Sequence, residues 1–528
     1  MLVGYVSDER YLALADVLLE FESGSRSVET RSRASGAVYA DIEPGQHRVT
    51  LQKPGYGAKR TSMRVVSGQL YQFRLLSDCL LGYAWPKWVR AGEQAEFRVH
   101  SLEPYKISLW RYGWHKEHAA KIGWFDEHGP LATMQITPDG DYTQSGVEWN
   151  QRGYSSRQHG QFVTAPERSG LYYFHAHSEG GRFFAFPWIV APATPSAKIA
   201  VLASNITWNA YNSFGGRSNY IHADALPPTP TVNARLELSR YNDPEFGTWS
   251  AEAYAPLSFD RPEPINHIPE HVQITDPIEG RAACHVAPAE WRLLGWMERE
   301  GFQYDLYGET QLHAGLLDLD HYRVLVTSTH PEYWTADMYH AVKDWVFERG
   351  GRLVYLGGNG INCEVTLTDA STMIVNNGNA RELAARPNPP ESRFAARVES
   401  EAHLLGVVYD ERGVMTAAPY RVLAPNHWAF AGTSLGEGDA FGTHSLHERI
   451  PGGASGHETD KVSRSSPAEI ERLSKGENRD QGGADMITFD TPSGGAVFSA
   501  GSICWPASVL VDEAVSRITA NVLERFSR

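Results

Sequence analysis

The chain reads as an α/β protein in which a parallel sheet flanked by helices is preceded by two β-sandwich-like units. Three observations predict this. Residues 322–356 run strand, helix, strand at the spacing of a βαβ unit, which favours a parallel sheet covered by helices. The front half shows short alternating apolar stretches cut by Gly- and Pro-containing turns. Ala191-Pro192-Ala193-Thr194-Pro195-Ser196 reads as a linker between the two regimes. A chain of 528 residues also exceeds one ordinary hydrophobic core. The expected division is a small β-sandwich over 1–68, a second, immunoglobulin-like sandwich over 69–194, and an α/β domain over 197–528.

In the first unit, Leu12, Leu14, Val17, Leu19 and Phe21 alternate in part, and Asp41-Ile42-Glu43-Pro44-Gly45-Gln46 is a turn. His47–Leu51 is a strand, Pro54-Gly55-Tyr56-Gly57 another turn, and Val65 opens the closing strand. The second unit alternates at Ala95–Val99 and Ile107–Tyr112, with late strands at Gly170–His177 and Phe183–Val190. Its tryptophans, among them Trp85, Trp88, Trp110 and Trp114, fit a sandwich core or interface better than a substrate platform.

In the third unit Ala197–Ala203 is an apolar strand. Glu290–Gly301 is a helix carrying Leu293, Leu294 and Met297 on one side, and Tyr304–Tyr307 is a strand. Tyr322–Val326 is the next strand. A helix over about 336–349 follows, capped by Thr335, stopped by Gly350-Gly351, and apolar at Met338, Val342, Trp345 and Val346. Arg352–Leu356 runs into Gly357-Gly358-Asn359-Gly360. Ala496–Ser499 is a strand and Val511–Phe526 a closing helix. The polar stretch 450–482 reads as an irregular insertion or lid.

Composition narrows the function. Hydrophobic residues are 42% and charged residues 21%, a globular balance, and the net charge of −15 with no basic stripe argues against nucleic-acid binding. No apolar run approaches a membrane span, and Met1–Arg10 does not read as a secretory signal. The four cysteines, Cys79, Cys284, Cys363 and Cys504, form no CxxC pair and read as reduced thiols of a cytoplasmic protein.

The chain has no GxSxG, HExxH or Walker lysine motif. Chemistry concentrates instead in Thr329-His330-Pro331-Glu332-Tyr333-Trp334, a strand-to-helix turn of the kind that carries sites in α/β domains. Tyr211 follows an earlier strand, Tyr241 another alternating stretch, and strand ends converge in a parallel sheet. A carboxylate with phenolates makes a hard, anionic site that suits ferric iron better than zinc. Bland readings stand beside this one: Tyr333 and Trp334 fit packing of the turn, His330 a structural donor, Tyr211 and Tyr220 a core edge, and Asn359 a left-handed turn. Cys363, beyond the glycine-rich turn, leaves a cysteine hydrolase open, and a non-catalytic scaffold is also compatible.

Asn209-Ala210-Tyr211-Asn212-Ser213-Phe214-Gly215-Gly216-Arg217-Ser218-Asn219-Tyr220 resembles the opening signature of the N,N-dimethylformamidase large (beta) subunit family. His330–Trp334, Gly357–Asn362 and Gly494–Trp505 resemble its later signatures. The resemblance implies a glutamine amidotransferase-like catalytic domain and an iron-dependent amidohydrolase that cleaves small N-substituted amides or formamides to acid and amine. It implies one Fe(III) held by Tyr211, Tyr241 and Glu332, with Tyr220 competing for the second tyrosine position. It further implies His330, Asn359 and Glu458 as catalytic residues, a homo-oligomer, and a possible small subunit.

Overall fold

The structure, a computed structural model, describes residues 1–8, 12–75, 77, 80–101, 103–125, 161–214, 218–219, 229–230, 232, 256–278, 282–378 and 380–528. Cys79, Tyr220 and Tyr241 lie outside the described residues. The protein is a mixed α/β chain rich in short strands.

A nine-stranded sheet organises the second half. Its strands in chain order are β1 (Ile199–Ala203), β2 (Asp305–Gly308), β3 (Val324–Thr329), β4 (Arg352–Gly357), β5 (Tyr420–Val422), β6 (Ala440–Phe441), β7 (Glu471–Gly476), β8 (Asp485–Asp490) and β9 (Ala496–Ser499). Their spatial order is β2-β1-β3-β4-β9-β8-β7-β5-β6. The run from β2 to β9 is parallel, and every pairing beyond β9 is antiparallel. The expected parallel sheet is thus a mixed one. The difference arises from 420–490, where β7 and β8 return as neighbours instead of crossing over through helices. The stretch read as an irregular insertion contributes β7 and the short strands Ser455–Gly456 and Thr459–Lys461. These strands are too short and too polar to show a period of two.

Alternation along the parallel strands sets up the two faces. Val201, Val324, Val326, Val354 and Phe498 enter one core with the helices α2 (Ala287–Arg299) and α4 (Glu513–Phe526). Ala200, Leu202, Leu325, Leu353 and Val497 enter another with α3 (Ala336–Glu348). The α3 terminus is capped as read, Thr335 Oγ1 accepting from Met338 N at 3.2 Å. Asp512 caps α4 in the same way, its carboxylate accepting from Val515 N at 3.1 Å.

The front half forms two pairs of sheets. Strands Arg26–Arg31, Leu18–Ser23, Gly45–Lys53 and Gly57–Val65 face Ala37–Tyr39, Leu2–Ser7 and Tyr71–Arg74 across one core. Tyr71–Arg74 extends that pair past residue 68, because it pairs in parallel with Leu2–Ser7. A further two sheets enclose a core over 80–190 that Phe214 also joins. Trp88, Trp110 and Trp114 pack against the α/β core, an interface role. Buried pairs join the regions: Arg98 with Asp260, Lys87 Nζ with Glu263 Oε1 at 2.6 Å, and Arg111 with Glu298. Ser196 and Ala197 are tied to Asp305, so the predicted linker is anchored. No helix among the described residues is long and apolar enough to cross a membrane.

Candidate active site

Strand order reverses between β1 and β3, since β1 leads to β2 on one side while β3 and β4 lie on the other. Such a reversal opens a crevice at the carboxyl ends of the strands. Three chain segments meet there. Helix α1 (Asn205–Tyr211) leaves β1 and ends on Tyr211, His330 and Glu332 follow β3, and Asn359 follows β4. Glu458 joins them from the turn before Thr459–Lys461.

The side chains are in direct contact. Tyr211 OH donates to Glu332 Oε2 at 2.8 Å. His330 Nε2 lies 3.2 Å from that oxygen and 3.3 Å from Glu458 Oε2. Asn359 Nδ2 donates to Glu458 Oε2 at 2.7 Å. Its amide orientation follows from the carboxylate, which only accepts. His330 and Glu332 are each 1% exposed and Asn359 4%. Tyr211, His330, Glu332, Asn359 and Glu458 are therefore brought together, while Tyr241 and Tyr220 lie outside the described residues.

Backbone strain accompanies this convergence. Thr329, Asn359, Ile361 and His457 have φ of 63°, 53°, 53° and 70°. A left-handed Ile is a genuine outlier, and each such residue costs about 1–3 kcal/mol unless its surroundings hold it. They are held: Gly358 N donates to Thr329 O at 3.1 Å, Ile361 N to Pro331 O at 2.8 Å, and Asn359 N to Asp460 Oδ1 at 2.7 Å. The glycines of this turn serve close approach. A Cβ on Gly358 would lie 2.5 Å from Glu458 O and 2.8 Å from Ile503 N, and one on Gly360 would lie 2.6 Å from Tyr355 OH. Asn359 occupies the left-handed turn and contacts Glu458, so its two readings coincide.

The charges are coupled. Burial works against a charge on His330, but Glu458, Glu332 and Asp460 carry its pKa above the ordinary imidazole value. Burial alone would raise Glu458, yet His330, His457 and Asn359 bring it below the usual carboxylate range. The two shifts both favour an imidazolium beside a carboxylate. Asp460 is pushed up to about 6 by burial, against hydrogen bonds from Tyr355 and Asn359 N. Beneath α1, Glu290 accepts from Trp208 Nε1 at 2.8 Å, and Glu309 accepts from Trp334 Nε1 at 2.8 Å and from Ile206 N at 3.3 Å. Burial pushes Glu290 up to about 8 and Glu309 well up, and both anchor α1 through these hydrogen bonds.

Several contributors escaped the sequence reading. Arg393 NH2 donates to Glu332 Oε1 at 2.9 Å, the oxygen other than the one that Tyr211 and His330 meet. Nothing in the stretch Asn388-Pro389-Pro390-Glu391-Ser392-Arg393 marks this arginine as part of a site. The ring of His285 lies 4.4 Å from that of Tyr211 and 5.5 Å from that of His330. His447 Nε2 meets His457 Nδ1 at 2.8 Å behind it. Tyr333 is more than packing, because its hydroxyl accepts from Asn219 Nδ2 at 2.8 Å.

For a metal, the hard donors among the described residues of the cluster include Tyr211 and the Glu332 carboxylate. Their 2.8 Å separation brings a phenol and a carboxylate oxygen within reach of one ion. Cys363 offers no comparable nucleophile. Burial pushes its thiol up to about 12, and it donates to Asn377 Oδ1 at 3.2 Å.

The family model described as N,N-dimethylformamidase beta subunit-like, C-terminal, matches residues 106–515. An N,N-dimethylformamidase beta subunit of Paracoccus aminophilus is 27% identical over 401 residues, covering 65% of this chain and 50% of that protein. One from Alcaligenes sp is 25% identical over 464 residues, covering 72% and 58%. The chain thus spans about half the length of the curated relatives it matches. A solved DUF3823 family protein from Bacteroides ovatus aligns with 36% of this chain and 98% of its own at 10% identity, with a TM-score of 0.13, too low to argue a shared fold.

Proposed function

Because the chain belongs to the N,N-dimethylformamidase beta subunit-like, C-terminal family, we propose that it is an amidohydrolase that cleaves small N-substituted amides or formamides at the Tyr211–His330–Glu332–Asn359–Glu458 cluster. The carrying observation is that five residues from four segments share one hydrogen-bonded cluster at the strand reversal. In the same reading a single Fe(III) is held by Tyr211, Glu332 and Tyr241, and the parallel strands form a glutamine amidotransferase-like core. The phenol and carboxylate oxygens, with Arg393 donating to Glu332 Oε1, fit such an ion. When bound, it supplies Lewis acidity toward an amide carbonyl.

The chain's own residues do the rest. The Glu458 carboxylate takes a proton from water through Oε2, the oxygen that Asn359 Nδ2 holds. The resemblance makes Asn359 a catalytic residue. With its amide turned to Glu458, we assign it to orienting that carboxylate. His330 carries a proton at Nε2, between the two carboxylates, and delivers it to the nitrogen of the departing amine. Burial of His330 and Glu332 excludes bulk water from that transfer. The Cys363 reading loses support from its buried, protonated thiol. A homo-oligomer, and a second subunit of the kind that the relatives' name suggests, complete the proposal.

The test is substitution. Glu332→Ala is expected to lose iron and formamide hydrolysis together. Full hydrolysis with retained iron in that variant would overturn the assignment.

A further inference from the structure

Among the described residues, two groups bring three metal-ligating atoms within 4.8 Å of one another. The first, Cys284, His447 and His457, is closed by hydrogen bonds. Ile450 N donates to His447 Nδ1 at 3.1 Å, and His447 Nε2 meets His457 Nδ1 at 2.8 Å. The second, His175, His177 and Glu270, differs in this respect.

His175 and His177 stand two residues apart on the strand Gly170–Ser178, so their side chains project to one face. His175 is 2% exposed. Its ring stacks on Trp110 at 5.1 Å and meets Phe183 edge-on at 5.0 Å. Its Nε2 is engaged by Tyr112 OH at 2.7 Å, while its buried Nδ1 has no partner. A buried ring nitrogen without a partner is costly in a protein interior. A metal-binding imidazole is commonly oriented by a hydrogen bond at its other nitrogen, as Tyr112 provides here. His177 Nε2 lies 3.2 Å from Glu270 Oε1, and this side of the group reaches solvent, with side-chain exposures of 24% and 54%.

We propose that His175, His177 and Glu270 bind a divalent borderline transition-metal ion, with Zn²⁺ as the reference, and leave it an open position for water. Two imidazoles and one carboxylate suit zinc better than a hard ferric ion, so the site differs in kind from the Tyr211–Glu332 cluster. Its placement gives it a structural task. Glu270 belongs to the segment 256–278, which is already pinned to the β-rich half. Lys116 Nζ donates to Glu270 O at 3.1 Å, Ala185 N to His267 Nδ1 at 3.0 Å, and Tyr173 OH to Asn266 O at 3.1 Å. The ion would clip the same segment once more to the strand that carries the histidines.

The experiment is calorimetric titration of Zn²⁺ into the chelator-stripped full chain, alongside His177→Ala, Glu270→Gln and Glu332→Gln. Both altered ligands are partly exposed, and circular dichroism checks that each variant folds. The expected result is one Zn²⁺ equivalent whose affinity falls at least tenfold in His177→Ala and in Glu270→Gln, and which Glu332→Gln keeps. Saturating Zn²⁺ is expected to raise the Tm of the unaltered chain and of neither ligand variant. Zn²⁺ affinity and Tm unchanged by both substitutions would overturn the site. Because Glu332→Gln is read separately, loss of the iron reading would leave this result interpretable.

Discussion

Glu458 decides the protonation of His330. Their contact at 3.3 Å is the main force that holds the imidazolium in a buried place. In Glu458→Gln that force is gone while burial remains, so the His330 pKa is expected to fall relative to the unaltered chain. Imidazole titration by NMR measures this directly, and an unchanged or higher pKa would contradict it. Turnover is expected to fall roughly 10²–10⁴-fold, the scale of a lost general acid or base. The stability linkage has a definite sign. The raised His330 pKa contributes stability that is present below its unfolded value and lost as pH rises through the folded one. The lowered Glu458 pKa contributes stability present above its unfolded value and lost as pH falls through the folded one. The pair is therefore complete only between the lowered and the raised value, and denaturation followed against pH should show a stability loss outside that window. Arg393 is a second test at this scale. Arg393→Met leaves one oxygen of a 1%-exposed carboxylate without its cation, a loss of about 3–5 kcal/mol that a urea titration would detect.

The turn after β4 shows how an element holds the site. Its glycines exist because backbone from the Glu458 segment and the Tyr355 hydroxyl lie against them. Gly358→Ala places a methyl 2.5 Å from Glu458 O, and backbone atoms cannot step aside as a flexible side chain can. The expected outcome is a Tm loss of several degrees with a larger fall in kcat than in KM, because Glu458 is displaced. An unchanged kcat would show that this turn does not set the Glu458 position. Legibility at this scale followed length and periodicity. The helix α3, its Thr335 cap and the strands β3, β4 and β9 were readable because each carries a repeat with a marked end. The antiparallel extension was not, because β5 and β6 are three and two residues long and gain their stability from neighbours far along the chain. Tyr211, His330, Glu332 and Asn359 were legible through motifs at strand ends. Arg393, His285 and the buried acids Glu290 and Glu309 were not, since only tertiary packing gives them their partners.

At the scale of the whole molecule, the β-rich half is fastened to the α/β half by charge buried between them. Arg98 pairs with both Glu96 and Asp260, and Tyr83 OH donates to Asp260 Oδ1 at 2.8 Å. Arg98→Met leaves two mostly buried carboxylates without their cation, and a loss of about 3–5 kcal/mol in unfolding free energy is expected by chemical denaturation. The arrangement carries the crevice as well, because the 256–278 segment that the β-rich half grips also holds the end of α1. Arg261 from that segment donates to Asn209 O at 3.0 Å and to Phe214 O at 2.6 Å, on either side of Tyr211. We propose that this crevice holds an oxygen-ligated iron centre. Iron quantification with visible absorption spectroscopy on freshly purified protein tests it most directly. One iron per chain with a phenolate-to-iron charge-transfer band, both absent in Glu332→Ala, is the predicted result. Hydrolytically active protein without iron and without that band would contradict it.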